Sequence, residues 1–138
     1  MKLIFYGLFL LVPMVVGAQS TALDDDFHLN TILFERNAVL TPAAQQHLEE
    51  LSHVMETDFL NDTCYLLAGH SDASGPATLN QTISEARAIA VKDFILASAN
   101  TETLNIETVG LGETQLLPNA SETSQLNRRV VIMAQKCS

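Results

Sequence analysis

Four short segments that are continuously apolar or mix apolar and polar residues have the length and bounding residues of strands. They lie at residues 29–34, 64–69, 104–109 and 129–134. The second segment is almost entirely apolar, and Gly110 and Gly112 follow the third, where they turn the chain. A polar stretch, residues 116–125, separates the third segment from the last and is predicted to be a loop.

Two longer segments repeat their apolar residues with the period of about 3.6 residues that is typical of helices. In the first, Thr41 is a good N-cap and Pro42 a good first helical residue. The apolar stripe of this helix consists of Ala44, Leu48, Leu51 and Met55. The second helix is predicted over residues 79–98, and one of its faces contains Ile83, Arg87, Ala90 and Phe94. The order strand, helix, strand, helix, strand, loop, strand predicts a two-layer α/β sandwich.

The N-terminal segment, residues 1–18, has the pattern of an export signal. Lys2 precedes an apolar stretch at 3–16, and small residues before Gln19 fit a cleavage site after Ala18. The stretch is shorter than the roughly 18 or more residues of a membrane-spanning helix, so we expect cleavage and export. An uncleaved anchor is the alternative.

The remaining chain is expected to hold one domain. Residues 19–28, which include three consecutive aspartates, are predicted to be a short flexible acidic lead, and residues 29–138 the domain itself. No cysteine stands directly after the apolar stretch, since Cys64 is far away, so no N-terminal lipid anchor is expected. Removal of Lys2 would leave six Lys/Arg against sixteen Asp/Glu, a net charge of −10. Such an acidic protein is not expected to bind nucleic acid or an anionic lipid surface.

The segment from Gly69 to Ala88 joins the second strand to the second helix through a bend rich in Gly, Ser and Pro. Asp72 lies just after the strand, and the helical period directs Arg87 toward the core. An unpaired buried guanidinium is costly, so Arg87 needs an acid or a bound anion. Two explanations remain open: a structural Asp72–Arg87 pair, or a cleft in which both residues hold one ligand.

Four motifs, in order along the chain, resemble the signature of the OmpA-like domain family (the OmpA C-terminal domain, Pal and MotB). They are G-H-S-D at 69–72, N-x-x-I-S-x-x-R-A at 80–88, V-G-L-G-E at 109–113 and N-R-R-V at 127–130. Residues 32–42 also resemble the first strand and helix start of that family, and the similarity covers residues 29–135. The resemblance implies a mixed four-stranded sheet with both helices on one face.

The same resemblance implies non-covalent binding of peptidoglycan in a Gram-negative cell envelope, through the meso-diaminopimelate of the stem peptide. Asp72 would accept hydrogen bonds from its ammonium, and Arg87 would hold its carboxylate. The other predicted binding residues flank these two: Ser71, Asn80, Ile83, Ser84, Arg128 and Arg129. For Arg128 and Arg129 a solvated strand edge is the alternative. We expect Asp72→Ala and Arg87→Ala each to abolish binding to sacculi while the fold stays intact.

The family's ligand site also leads to an expected disulfide. It draws on the end of the second strand, at Asp72, and the start of the last, at Arg129. If these ends share one edge of the sheet, the two strands are antiparallel, and Cys64 and Cys137 would meet at the other edge. An oxidising compartment would preserve such a bond.

An enzyme is the main functional alternative outside binding proteins. His70, Ser71 and Asp72 contain the three side chains of a hydrolase triad, but neighbours in an extended chain point to opposite sides. The chain has no G-x-S-x-G or H-E-x-x-H motif, so we expect no catalysis, no metal and no cofactor. A periplasmic protein–protein interaction module with a vestigial peptidoglycan site is the second alternative. The sequence leaves open a further partner, either another envelope protein or a second copy of the chain.

Overall fold

The computed structural model describes residues 27–99 and 103–138. Its strands and helices, in chain order, are β1 (Phe27–Leu33), α1 (Pro42–Met55), β2 (Thr63–Gly69), α2 (Ala77–Ser98), β3 (Asn105–Gly110) and β4 (Arg129–Lys136). Short 3-10 turns occur at Asp58–Leu60 and Gln125–Asn127. The predicted export signal and most of the acidic lead lie outside the described residues.

The four strands form one mixed sheet in the order β1-β4-β2-β3. β2 is parallel to β3, whereas β4 is antiparallel to both β1 and β2. In this register Leu33 pairs with Arg129, and Gly69 pairs with both Val130 and Gly110. The ends of β1, β2 and β3 therefore meet the start of β4 at one end of the sheet, which we call the cleft end.

Both helices pack on one face of the sheet, as expected. Alternate residues of the strands point to the helices, and in the middle of each strand these positions are apolar because they form the core with the buried stripes of α1 and α2. The core consists of Ile32, Phe34, Leu48, Leu51, Met55, Tyr65, Leu67, Ala88, Val91, Ile95, Ile106, Val130, Ile132 and Ala134. Thr41 caps α1 by accepting a hydrogen bond from the backbone N–H of Ala44, as predicted.

The predicted face of α2 is partly wrong. Arg87 is buried, as expected, but Ala90 and Phe94 are only partly buried. The buried face of α2 consists of Asn80, Ser84, Arg87, Ala88, Val91 and Ile95. The buried face is rotated because Gly69 and Gly110 let α2 pack closely on the ends of β2 and β3. Phe94 instead packs at the margin of the core.

The boundary of the acidic lead also needs correction. Phe27 and His28, which were assigned to the lead, belong to β1, and their backbones pair with Ala134 and Met133. The two residues join β1 because its pairing with β4 continues past a register shift between His28 and Asn30.

A disulfide joins Cys64 to Cys137, with their Cα atoms 5.1 Å apart, which confirms the expected pairing. It connects the start of β2 to the residue that follows β4, at the end of the sheet opposite the cleft end. Over residues 27–99 and 103–138, neither helix combines the length and apolar character needed to cross a membrane.

Candidate functional site

A cleft with a volume of about 180 Å³ opens at the cleft end of the sheet. Four segments contribute to its walls: the chain after β1, the loop after β2, the first half of α2, and the residue before β4. The lining residues are Arg36, Ser71, Asp72, Ser74, Leu79, Asn80, Ile83, Arg87 and Arg128. The topology thus brings together residues that are up to 92 positions apart in the chain.

Close packing of α2 on the strand ends shapes the cleft. A Cβ at Gly69 would lie 1.9 Å from the carbonyl oxygen of Ser84, so only glycine permits this approach. The Ser84 hydroxyl accepts a hydrogen bond from the backbone N–H of Gly112 at 2.9 Å and donates to the Gln81 carbonyl at 2.8 Å. These contacts hold the first half of α2 over the end of β2.

Asp72 is the carboxylate of the cleft, and two donors orient it. Its Oδ2 accepts a hydrogen bond from Arg128 Nη1 at 2.7 Å, and its Oδ1 accepts one from the Ser74 backbone N–H at 3.0 Å. Burial raises the pKa of Asp72, but the hydrogen bonds from Arg128 and Ser74 and the Arg128 charge outweigh it, so the net pKa is lowered. Asp72 therefore pairs with Arg128, and the Asp72–Arg87 pair considered from the sequence is not formed in the described structure.

Arg87 is 1% exposed and donates its hydrogen bonds to backbone carbonyls. Nε donates to Asn37, Nη1 to His70, and Nη2 to both Glu35 and Arg36, at 3.0–3.3 Å. The guanidinium carbon lies 5.6 Å from the centre of the Phe34 ring. Burial and, to a smaller extent, the Arg128 charge lower the pKa of Arg87, while Asp72 raises it.

Arg87 consequently connects α2 to the segment after β1 and to the end of β2. A residue with these contacts stabilises the fold as well as lining the cleft. The expectation that Arg87→Ala would leave the fold intact does not agree with this geometry.

The α2 wall of the cleft combines a polar and an apolar part. Asn80 is buried, and its Nδ2 donates a hydrogen bond to the Glu113 carboxylate, which ties α2 to the loop after β3. Leu79, 57% exposed, and Ile83, half-buried, are four residues apart and so lie side by side on the helix. They form an apolar ridge beside the charged groups.

Two of the predicted binding residues, Ser84 and Arg129, do not line the cleft. Arg129 is buried and donates from Nη2 to the Gln115 carbonyl at 3.2 Å. Its neighbour Arg128 faces the cleft because consecutive residues of an extended chain point to opposite sides. Burial and the nearby Arg129 charge lower the pKa of His70 to about 4, so that imidazole is neutral at pH 7.

Residues 33–129 match the sequence model of the OmpA family. The chain belongs to the OmpA family. It is 28% identical over 123 residues to the outer membrane protein Omp38 of Acinetobacter baumannii, in two strains. The aligned region covers 86% of this chain but 34% of Omp38, so the chain spans about a third of the length of these relatives.

Solved structures of other OmpA-like domains share the fold. The OmpA-like domain of FopA1 from Francisella tularensis has a TM-score of 0.68 at 18% identity, over 78% of this chain and 72% of that domain. The peptidoglycan-associated lipoprotein of Burkholderia pseudomallei has a TM-score of 0.64 at 19% identity, over 76% and 89%. The C-terminal domain of MotB from Helicobacter pylori has a TM-score of 0.66 at 13% identity, over 80% and 87%.

Sequence reasoning missed three residues that line the cleft of this OmpA-like domain: Arg36, Ser74 and Leu79. Arg36 could have been found, because β1 precedes it and an antiparallel β4 brings the end of β1 to the cleft end. Ser74 lies two residues after Asp72, at the spacing of an Asx turn. Leu79 had no distinguishing signal beyond its position next to Asn80.

Proposed function

We propose that this domain binds peptidoglycan non-covalently in the cell envelope, through the meso-diaminopimelate of the stem peptide. The observation that carries the proposal is one ionised carboxylate, Asp72, in the same cleft as the buried cation Arg87. Diaminopimelate presents an ammonium and a carboxylate on one carbon, so neighbouring groups of opposite charge complement it.

Asp72 would accept hydrogen bonds from the ligand's ammonium. A carboxylate has about four lone-pair sites, and Arg128 and Ser74 occupy two of them. The remaining sites suit an ammonium that enters the cleft. Ser71 adds a buried hydroxyl that has no hydrogen-bond partner among the described residues and lies in the cleft wall.

Arg87 would attract the ligand's carboxylate. A guanidinium has five N–H donors, and four backbone carbonyls accept from those of Arg87. One Nη1–H therefore remains for the ligand, which means that Arg87 would act through its charge and a single hydrogen bond and not through the full fork expected from the sequence.

Similar proteins support this proposal. One structural neighbour is named a peptidoglycan-associated lipoprotein, and the curated relative Omp38 is an outer membrane protein. With the export signal predicted at residues 1–18, these relatives favour a periplasmic location next to the cell wall.

Sedimentation of the purified protein with peptidoglycan sacculi tests the proposal. The wild type should co-sediment, and Asp72→Ala should remain in the supernatant because it removes the group that receives the ammonium. Asp62→Ala is the matched control, since Asp62 is exposed and lies beside the disulfide, away from the cleft. Circular dichroism would establish that each variant is folded.

Retention of a folded Asp72→Ala variant at the wild-type level would contradict the proposal. A folded wild type that does not sediment with sacculi would favour the alternative function, an interaction module with a vestigial site.

A further inference from the structure

The cleft carries more positive charge than one amino-acid zwitterion needs. Among its described lining residues are three arginines, Arg36, Arg87 and Arg128, but a single carboxylate, Asp72. The whole chain has seven Lys/Arg against sixteen Asp/Glu, so nearly half of its cations lie around one small cleft. Like charges brought together without compensating acids repel one another, an arrangement that a bound anion relieves.

Carboxylates near the cleft do not supply the missing compensation. Glu35 accepts a hydrogen bond from Gln125, and Glu113 accepts one from Asn80. Neither glutamate lines the cleft or forms an ion pair with an arginine among the described residues.

Arg36 differs from the other two arginines because its side chain has no hydrogen-bond partner among the described residues. Arg87 is held by four carbonyls, and Arg128 by Asp72 and the Phe34 carbonyl. The side chain of Arg36 is exposed and makes no hydrogen bond or ion pair with the described residues. Its backbone carbonyl accepts a hydrogen bond from Arg87 Nη2 at 3.3 Å. The Arg36 backbone is therefore fixed beside Arg87, while its side chain remains free at the cleft.

A ligand with an ammonium and one carboxylate brings no net charge, and the excess of two positive charges would remain. A second carboxylate would lower this excess and give Arg36 a partner with which its planar fork can form two hydrogen bonds. The apolar ridge of Leu79 and Ile83 provides a surface for methylene groups between the charged centres.

We propose that Arg36 forms a second anion subsite, which selects stem peptides that carry a further free carboxylate near the diaminopimelate zwitterion. The proposal rests on the proposed function, because it assumes that Asp72 and Arg87 hold that zwitterion. Two carboxylates of the stem could occupy the subsite: the other carboxyl of diaminopimelate and the α-carboxyl of the preceding D-glutamate.

Calorimetric titration with three synthetic muramyl tripeptides distinguishes these sources. The first peptide has all carboxylates free. In the second, the diaminopimelate carboxyl that is not part of the zwitterion is amidated. In the third, the D-glutamate α-carboxyl is amidated. For the wild type we expect one of the amidated peptides to bind about fivefold more weakly than the free one, the magnitude of a favourable exposed ion pair. The peptide that loses affinity identifies the carboxylate.

Arg36→Gln should bind the free peptide about as weakly as the wild type binds the sensitive amidated peptide, and the difference between the two peptides should vanish. Lys136→Gln is the matched control, because it removes one positive charge at the opposite end of β4 and should keep the difference. Equal affinity of all three peptides for the wild type, or a difference that persists in Arg36→Gln, would overturn the inference.

Failure of this inference can be told apart from failure of the proposed function. If Asp72→Ala abolishes binding to sacculi while amidation has no effect, only the Arg36 subsite is refuted. If no tripeptide and no sacculus binds the wild type, the proposed function is refuted and the subsite with it.

Discussion

Replacing Arg87 by alanine should destabilise the protein, apart from any effect on ligand binding. The guanidinium links α2 to the segment after β1 and to the end of β2, and its removal leaves the carbonyls that accept from it without their donor. The variant is therefore expected to have a lower free energy of unfolding.

The size of the loss in free energy of unfolding depends on which of the four carbonyls can form a hydrogen bond with water once the guanidinium is removed. A hydrogen bond to a charged donor contributes about 1.5–3 kcal/mol. Glu35, Arg36 and Asn37 are exposed, so their carbonyls can be rehydrated, whereas His70 is 3% exposed and its carbonyl would lose its partner inside the protein. The full His70 bond, about 1 kcal/mol for the cation–π contact with Phe34, and a part of the other bonds give about 3–5 kcal/mol.

Urea unfolding followed by far-UV circular dichroism, with the disulfide intact, measures this loss. Arg87→Lys should lose about half as much, because an ammonium keeps the charge but cannot reach all four carbonyls. Lys92→Ala, which removes the other cation of α2, is the control and should change the stability little. An Arg87→Ala variant within about 1 kcal/mol of the wild type would refute the structural role of this arginine.

Two further predictions concern stability. Replacing both Cys64 and Cys137 by serine should lower the free energy of unfolding in urea by about 4 kcal/mol, because the disulfide closes a separation of 73 residues in the unfolded chain; a loss below about 1 kcal/mol would contradict the chain-entropy argument. His70 has a pKa of about 4 when folded and an ordinary value of 6.5, so the unfolded chain binds a proton that the folded one does not. The neutral imidazole therefore contributes about 3 kcal/mol to the free energy of unfolding. This contribution is present above pH 6.5 and is lost as the pH falls to 4. His70→Gln should lack this component in unfolding experiments across that range, and parallel pH profiles for variant and wild type would show that the argument is wrong.

The type and order of the elements could be predicted because each buries a periodic apolar face. Thr41 and Pro42 marked the start of α1 by local backbone chemistry alone. Boundaries failed where a distant partner decides them: Phe27 and His28 look like part of a polar lead, yet β4 pairs with them. The disulfide could be predicted because the family's ligand site implies that β2 and β4 are antiparallel, which places Cys64 and Cys137 at the same end of the sheet.

The partners of the cleft arginines were harder to predict than their positions. The helical period placed Arg87 toward the core, but its acceptors are backbone carbonyls, which have no signature in the sequence. Asp72 and Arg128 are 56 residues apart, and only the register of β2 against β4 brings them into contact. A short separation in the chain therefore favoured the wrong pair, Asp72 with Arg87.

The two adjacent arginines, Arg128 and Arg129, point to opposite faces of the sheet. Val130 and Ile132 lie in the core, so Arg129 must point to the opposite face of the sheet. That alternation excludes Arg129 from the cleft on the sequence alone, since apolar residues at 130 and 132 fix which face of β4 meets the helices. Arg128, one position earlier and before the strand begins, is then the arginine that can reach Asp72, and the 2.7 Å contact between them is the consequence.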